Sequence, residues 1–522
     1  MSTPASPSGG ARRPRSRARL VAAGWAGLVS GALGLGVAHL LAQLVDPQAS
    51  PVIAVGGAAI DATPNWLKDW AIRQFGTGDK HVLLSGVVVT AALLAVAIGI
   101  IAGGRFRWAA AAVGALGLVA VTAELSRAGA RWYYPLPTAV GLVVAVSMLH
   151  RLLAVHRTDR EGPGEQSLPS RRGFLALSIA AAVGSLAAIG IGNALSKAKE
   201  VARARLAIRL PSPTGPAPPS PTGINPDVPG LSSYLTPSTR FYRVDTALVL
   251  PQVDPGSWRL RIDGMVAHPV SLSMADILAM PLIERDITMT CVSNEVGGPY
   301  VSTARWLGLP LRALMDLAGV SPDAEQLFST STDGFTTSTP VTVALDGRDA
   351  MIAVGMNGQP LPVAHGFPAR MIVPGLYGYV SGCKWISSIT ATTYAAKQAY
   401  WTQRGWDING PIYTESRIDV PSEASPVKAG VVPVAGVAWA QHRGISKVEV
   451  SIDDGPWQPT SLSEAGGDDT WRQWWYRWNA APGSHSIRVR ATDRTGSVQT
   501  DRRQAPFPRG ATGIQEVIVN VS

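Results

Sequence analysis

Five long, apolar and nearly uncharged stretches within residues 20–195 constrain this chain more than any other feature. Residues 20–45, 82–104 and 173–195 contain no Asp, Glu, Lys or Arg; residues 108–125 are interrupted only by Glu124, and residues 132–153 only by Arg151. The hydrocarbon core of a bilayer is crossed by about 20 apolar residues in helix, so each stretch predicts a membrane span. Composition agrees. Charged residues make up 16% of the chain, against about 25% in soluble proteins. Hydrophobic residues reach 46% with aromatics only 7%, which leaves Ala, Val, Leu and Gly as the excess. A wholly soluble protein is excluded.

Arg12, Arg13, Arg15, Arg17 and Arg19 precede the first span with no acid among them. With Arg105, Arg107 and the basic segment 151–172 they fall on one side, which the positive-inside rule makes cytoplasmic. The net charge of +10 is therefore mostly a topology signal, and no nucleic-acid partner is expected. Five spans from an inside N-terminus place everything after residue 195 on the extracytoplasmic side. The run Ser170-Arg171-Arg172-Gly173-Phe174-Leu175 resembles a twin-arginine export signal, here internal, and such a signal implies export of a folded, cofactor-loaded domain. The alternative is an arginine pair that anchors a helix end. In the outer loop between the first two spans, which includes residues 51–60, Trp66, Trp70 and Phe75 stand among Lys68, Asp69 and Arg73. This stretch reads as an aromatic anchor in the lipid interface or as a dock for the exported part.

A haem within the spans is an open alternative with little to hold it. His39 lies in the outer half of the first span and His150 near the cytoplasmic end of the fourth, while His81 sits at the water edge. At about 1.5 Å per residue the first two differ in depth by well over 10 Å and cannot share one iron. There is no CxxCH for covalent attachment, and two cysteines in the chain exclude a disulfide framework, a four-cysteine zinc site or an iron–sulfur cluster from this chain alone.

The domain plan follows from these breaks: a basic tail over 1–19, a membrane domain over 20–195 with the twin-arginine motif at 170–175, and a stub and linker over 196–230. Residues 211–230 contain eight prolines and are expected to form a semi-rigid polyproline spacer that holds the next domain off the membrane. Residues 231–424 mix short strands (258–262, 369–373) with helices (274–278, 309–318), an α+β pattern. Residues 425–522 read as strands only (430–440, 447–452, 471–478, 485–491), separated by Asp-Gly, Pro-Gly and Thr-Gly turns. That spacing predicts a β-sandwich of the Ig-like kind.

Chemistry is expected in the α+β region. Thr290-Cys291-Val292-Ser293-Asn294-Glu295 puts one cysteine at the end of a predicted strand, with Gly297-Gly298 just after. A thiolate there is a soft metal ligand, and simple packing is the competing role. Further on come His365-Gly366-Phe367-Pro368-Ala369-Arg370, Pro374-Gly375-Leu376-Tyr377-Gly378 and Gly382-Cys383-Lys384-Trp385. Cations among glycines suit a phosphorylated cofactor, because Arg and Lys pair with phosphate while glycine exposes backbone N–H groups.

The C-x-x-N segment, the H-G-F-P-x-R-x-x-V-P-G-x-x-G run, the following K-W and the all-β C-terminal part together resemble the sulfite oxidase family of molybdopterin enzymes, over about residues 234–521. The resemblance implies a molybdenum–molybdopterin cofactor with Cys291 as the protein thiolate on the metal. It further implies that His365, Arg370, Lys384, Asn294, Asp333, Gly382 and Cys383 hold the pterin, that Arg243 in Phe241-Tyr242-Arg243 lies near cofactor and anion, and that the C-terminal domain makes a homodimer. Departures bear on substrate. Glu295 and Val244-Asp245 replace the family's Arg and Asn-His, and Trp406 aligns with its active-site tyrosine. A like charge at 295 weakens the attraction of a sulfite dianion. Oxygen-atom transfer on an S- or N-oxide substrate, small or protein-borne, is therefore the leading expectation, with sulfite oxidation as the alternative. A quinone or a cytochrome is the expected electron partner. The reading from another class is a non-catalytic, membrane-anchored scaffold.

Overall fold

Small residues decide how the N-terminal helices meet. A computed structural model describes residues 17–64, 67, 70–71, 74–75, 78–127, 130–158, 171–194 and 198–522, in two compact units, Met1–Ser196 and Lys197–Ser522. Among the described residues of the first unit, five helices are long and apolar enough to cross a membrane. They are α1 (Arg17–Val45), α3 (Asp79–Ala102), α4 (Phe106–Leu125), α5 (Pro135–Thr158) and α6 (Arg171–Ala194). The central helix α1 packs against α3, α5 and α6. A Cβ on Gly27 would stand 2.1 Å from the Ala95 carbonyl oxygen, and one on Gly34 2.6 Å from that of Gly141. Only glycine permits such backbone approach, and in an apolar solvent this close packing is what holds helices together. Leu118, Val143, Ile179 and Leu186 point outward.

Within the connection expected as a loop, α2 (Pro51–Ala62) forms instead, with proline at its first turn and Pro51, Ile53, Ala54 and Gly56 buried. Twelve residues are too few to cross a bilayer. Trp70 and Phe75 are exposed and pack edge to face at 5.8 Å. The basic tail through Arg15, Trp66, Lys68, Asp69, Arg73 and Ser170 lie outside the described residues, as do the side chains of His81, Arg171 and Arg172. His39 Nε2 lies 3.2 Å from Asn193 Oδ1 on α6, and His150 packs edge to face on Phe106.

The second unit begins with α7 (Ala198–Ala207), which is part of the folded domain: Val201 is buried in its core and Arg205 donates to the carbonyls of Pro360 (2.6 Å) and Leu361 (2.7 Å). The expected stand-off spacer is corrected as well. The Thr214 N–H donates to the Leu282 carbonyl at 2.8 Å, the Glu284 N–H donates to the Gly215 carbonyl at 2.8 Å, and Gly215 bridges to Ile283. Proline removes N–H donors but leaves carbonyls and the residues between, so the extended strip pairs along the domain edge.

One sheet of the central region runs in the order β2 (Val270–Ser273), β1 (Arg259–Gly264), β10 (Ile386–Thr392), β5 (Gln326–Ser331), β6 (Thr336–Pro340). A second runs β3 (Ile283–Thr290), β4 (Val301–Pro310), β7 (Met351–Met356), β8 (Gln359–Pro360), with β9 (Arg370–Ile372) also on β7. Two expected helices form as α8 (Met274–Ala279), opened by a Ser273/Asp276 capping box, and α9 (Leu311–Ala318). The latter starts later than its pattern suggested, because the apolar run from Val301 belongs to β4 and is buried on both faces. Two short helices follow, α10 (Val341–Ala344) and α11 (Gly378–Ser381).

The C-terminal strands form two sheets, β11 (Glu415–Val420)-β13 (Gly430–Trp439)-β17 (Arg472–Ala480)-β16 (Ser461–Leu462) and β12 (Pro426–Val427)-β19 (Gln515–Val521)-β18 (Gly483–Asp493)-β14 (Ile445–Ile452)-β15 (Gln458–Pro459). Val434 and Trp474 from the first sheet and Val450, Val489 and Val519 from the second share one core. The expected boundary at 424/425 shifts, since β11 pairs with β13. Nor is the division clean inside: Val437, Trp439 and Trp471 pack into the core of the central region.

Candidate active site

The polar residues singled out from sequence converge at the ends of β3 and β9. Cys291 is the first residue beyond β3, closely surrounded yet still touched by solvent. Its N–H donates to the Tyr300 carbonyl (3.0 Å), and the Asn294 N–H donates back to the Cys291 carbonyl (3.0 Å). Asn294 Oδ1 accepts from the Tyr300 N–H at 2.7 Å, while its buried Nδ2 has no partner. Gly298 is required here, for a Cβ would stand 2.7 Å from Asn294 Oδ1. Burial pushes the Cys291 thiol up, opposed by hydrogen bonds to Ser293 and by the Lys384 ammonium.

Arg370 opens β9 and is only 5% exposed. Its Nη1 donates to the His365 carbonyl at 3.2 Å, its guanidinium lies 5.3 Å from the Trp306 ring centre, and its Nε has no partner. Burial lowers its pKa to about 10. His365 Nε2 is 2.9 Å from the Ser238 carbonyl; a carbonyl only accepts, so Nε2 carries the proton. Burial, then Arg370, push this ring down to about 4, and at neutral pH it is an uncharged donor. Phe241 packs on it edge to face at 5.4 Å.

Lys384 Nζ lies 2.7 Å from Asp245 Oδ2, and Arg243 Nε lies 2.9 Å from the same oxygen. Burial lowers the lysine to about 8, with Asp245 opposing. Two glycines of the motif make room for these cations. A Cβ on Gly366, at φ +113°, would press on Arg370 Cβ and Lys384 Cα, and one on Gly382 would come 3.2 Å from Arg370 Nη2. The Gly382 N–H itself closes α11, donating to the Gly378 carbonyl at 2.8 Å.

Cys383 is fully buried, and burial, then the nearby Asp333 carboxylate, drive its thiol far up. Asp333 closes the β5–β6 turn by accepting from the Phe335 N–H at 3.2 Å. Trp406 belongs to a neighbouring aromatic cluster with Tyr379 (5.8 Å), Trp401 (6.0 Å) and Phe507 (5.3 Å). Its ring neighbour Tyr379 lies on α11. Glu295 is exposed. Sequence reasoning missed Tyr242, which interacts electrostatically with both Cys291 and Arg370, and Trp306 beneath Arg370. Tyr242 stands inside the F-Y-R segment and was within reach; a tryptophan in mid-strand carries no such signal.

Arg243 and the buried Lys384 share one carboxylate, Asp245, while among the described residues the buried Arg370 guanidinium donates only to the His365 carbonyl. Uncompensated buried charge is costly, so the surplus, with the orphaned Arg370 Nε and Asn294 Nδ2, suits a bound anionic group rich in acceptors. Among the described residues no three His, Cys, Asp or Glu side chains are grouped to hold a metal. A metal at Cys291 would therefore bring most of its ligands with it. A molybdenum–pterin phosphate group fits these residues on both counts.

Residues 247–401 match the family profile of the oxidoreductase molybdopterin binding domain. The chain is 28% identical over 322 residues to mitochondrial sulfite oxidase of Homo sapiens, covering 52% of this chain and 58% of that one. It is 26% identical over 318 residues to the inducible NADH nitrate reductase 2 of Glycine max, covering 48% and 36%. Among solved structures it is similar to the sulfane dehydrogenase SoxCD of Paracoccus pantotrophus, with a TM-score of 0.49 and 23% identity over 56% of this chain and 84% of that one. The chain thus spans little more than half the length of the curated sulfite oxidase it matches. Residues 247–401 thus form a domain of the molybdopterin-binding oxidoreductase class. Over this region the chain is similar to the sulfite oxidase family.

Proposed function

We propose that this protein is a membrane-anchored, extracytoplasmic molybdenum enzyme that transfers an oxygen atom on an S- or N-oxide substrate. One observation carries the reading: Cys291 stands beside a buried Arg370 guanidinium that, among the described residues, pairs with no carboxylate and whose Nε has no partner, and beside a buried Lys384 that shares the single Asp245 carboxylate with Arg243. Bound there, a molybdenum–pterin group supplies two-electron redox chemistry and exchange of an oxygen atom with the substrate. Cys291 would ligate the metal, and Arg370 and Lys384 would pair with the pterin phosphate. Asn294 Nδ2 and Arg370 Nε would donate to pterin acceptors. The neutral His365 ring is fixed on the Ser238 carbonyl while the His365 backbone carbonyl accepts from Arg370 Nη1, and Trp306 packs beneath the guanidinium. Asp245 engages both Arg243 and Lys384, so less positive charge faces a substrate, which favours a neutral oxide over the sulfite dianion. Sulfite oxidation is the second reading, and Cys291 with its cations argues against a non-catalytic scaffold.

Elemental analysis of the full chain from molybdate-replete cells is expected to give about one molybdenum per chain, with a pterin. Folded protein without molybdenum rejects the proposal. The outward apolar faces of the helical unit support insertion in a bilayer, and the arginine pattern supports export of the second unit. Replacing Arg171 and Arg172 together by Lys is expected to leave residues 198–522 inaccessible to protease from outside. Undiminished accessibility rejects the twin-arginine reading.

A further inference from the structure

Strand β3, which ends one residue before Cys291, is braced from a region that sequence assigns to another domain. Gln441 follows β13 of the C-terminal sheets and is fully buried. Its Nε2 donates to the Thr290 Oγ1 at 2.9 Å and to the Thr288 carbonyl at 3.1 Å. The segment just before β17 adds to this. The Thr288 N–H donates to the Asp469 carbonyl at 2.9 Å, and the Trp471 N–H donates to Thr288 Oγ1 at 2.7 Å. Thr288 Oγ1 also contacts Thr303 Oγ1 on β4.

The last residues of β3 are thus gripped from two C-terminal segments, and the grip nearest the cysteine is the Gln441 amide. Beyond Thr290 the backbone forms a turn tied through Tyr300 and Asn294, and its far end is held by Arg417 Nη1, which donates to the Gly298 carbonyl at 3.1 Å. The direction in which Cys291 leaves the strand therefore depends on Thr290 staying in place. A glutamine is costly to bury for mere packing, since every unmet polar atom is penalised. Gln441 Oε1 indeed has no partner, so the burial is offset on the donor side alone, by the bonds to Thr288 and Thr290.

We infer that Gln441 is a positioning residue for the Cys291 thiol, so that the C-terminal sheets complete the active site. The inference rests on reading Cys291 as the metal ligand, but its first test needs no metal. In the full chain purified from molybdate-starved cells, iodoacetamide modifies Cys291 at a rate set by how the thiol is presented, with buried Cys383 as the unreactive reference. Gln441→Leu keeps side-chain bulk and removes both donors. It is expected to accelerate Cys291 alkylation about five- to tenfold, the scale of one net hydrogen bond.

Gln473 supplies a matched control. It is equally buried, but its Nε2 donates to Asn225 Oδ1 (3.0 Å) and the Ser232 carbonyl (3.2 Å), away from β3. Gln473→Leu is expected to cost similar stability while leaving the Cys291 rate within about twofold of wild type. Should Gln441→Leu fail to fold, Thr290→Val removes the same bond from the acceptor side and carries the same expectation. In the molybdenum-loaded chain Gln441→Leu is expected to shift the Mo(V) resonance, and Gln473→Leu is not. An alkylation rate unchanged or slowed by Gln441→Leu, or accelerated equally by both glutamine variants, overturns the inference. Absence of molybdenum overturns the functional reading and leaves this test standing.

Discussion

The two units of this chain solve the problem of internal polarity in opposite ways. In the helical unit, glycines bring backbones into contact, as at Gly27 with Ala95 and Gly34 with Gly141, and the buried polar side chains among the described residues are hydroxyls and Glu124, which accepts from Thr138. In the second unit a cluster of charged side chains is buried on purpose, with Arg370 and Lys384 both under a tenth exposed. The difference teaches where function can be read. Close glycine packing explains cohesion and nothing more, whereas buried cations without matching carboxylates are expensive unless something else binds them.

The sharpest break of this contrast is at Cys291, the proposed metal ligand. Cys291→Ser is expected to lower oxo-transfer turnover by more than about 100-fold, beyond what loss of an outer partner of a ligand costs, while the chain folds normally. Cys383→Ser is expected to retain most activity. Single-turnover reoxidation of the reduced centre measures both, and equal damage in the two variants would leave no reason to separate ligand from packing. A smaller effect is expected on the helical side. Gly34→Leu must push α1 and α5 apart and is expected to cost about 3 kcal/mol of helix packing. Thermal unfolding in detergent reads that loss, and the Cys291 alkylation rate is expected to stay at its wild-type value. A change in that rate would erase the division of labour between the units.

The smallest effect is conditional on pH. The unfolded chain protonates His365 near 6.5 and the folded chain not until about 4, so between those values the unfolded state binds more protons. Stability therefore rises with pH across that window, and falls on acidification by up to about 3 kcal/mol from this residue. His365→Gln is expected to flatten the loss between pH 6.5 and 4.5, measured by denaturant unfolding followed by tryptophan fluorescence. An unchanged acid limb would mean that the ring is solvated in the folded protein.

Local chemistry determined much of this protein from sequence alone. Uncharged apolar runs have one stable outcome in helix, so five long helices were legible, and so were the strands at Arg259–Gly264 and Arg370–Ile372. The C-x-x-N and H-G-F-P-x-R segments made the cofactor class legible, because a soft ligand and phosphate-binding cations must occur as those residue types. Tertiary structure decided the rest. Nothing in a proline-rich segment states that Thr214 and Gly215 pair with a strand edge, since pairing depends on which edge is left open. Composition does not say that Asp245 is shared by Arg243 and Lys384, or that Trp306 lies under Arg370. Those contacts join residues more than a hundred positions apart (Asp245 to Lys384) or on separate strands (Trp306 and Arg370). The domain boundary failed for the same reason: β11 looks local but pairs forward with β13, and Gln441 looks like a loop residue but reaches Thr290. Hydrophobic period and motif spacing report short-range constraints, while charge sharing and bracing of Cys291 are set by which distant elements the packed core brings together.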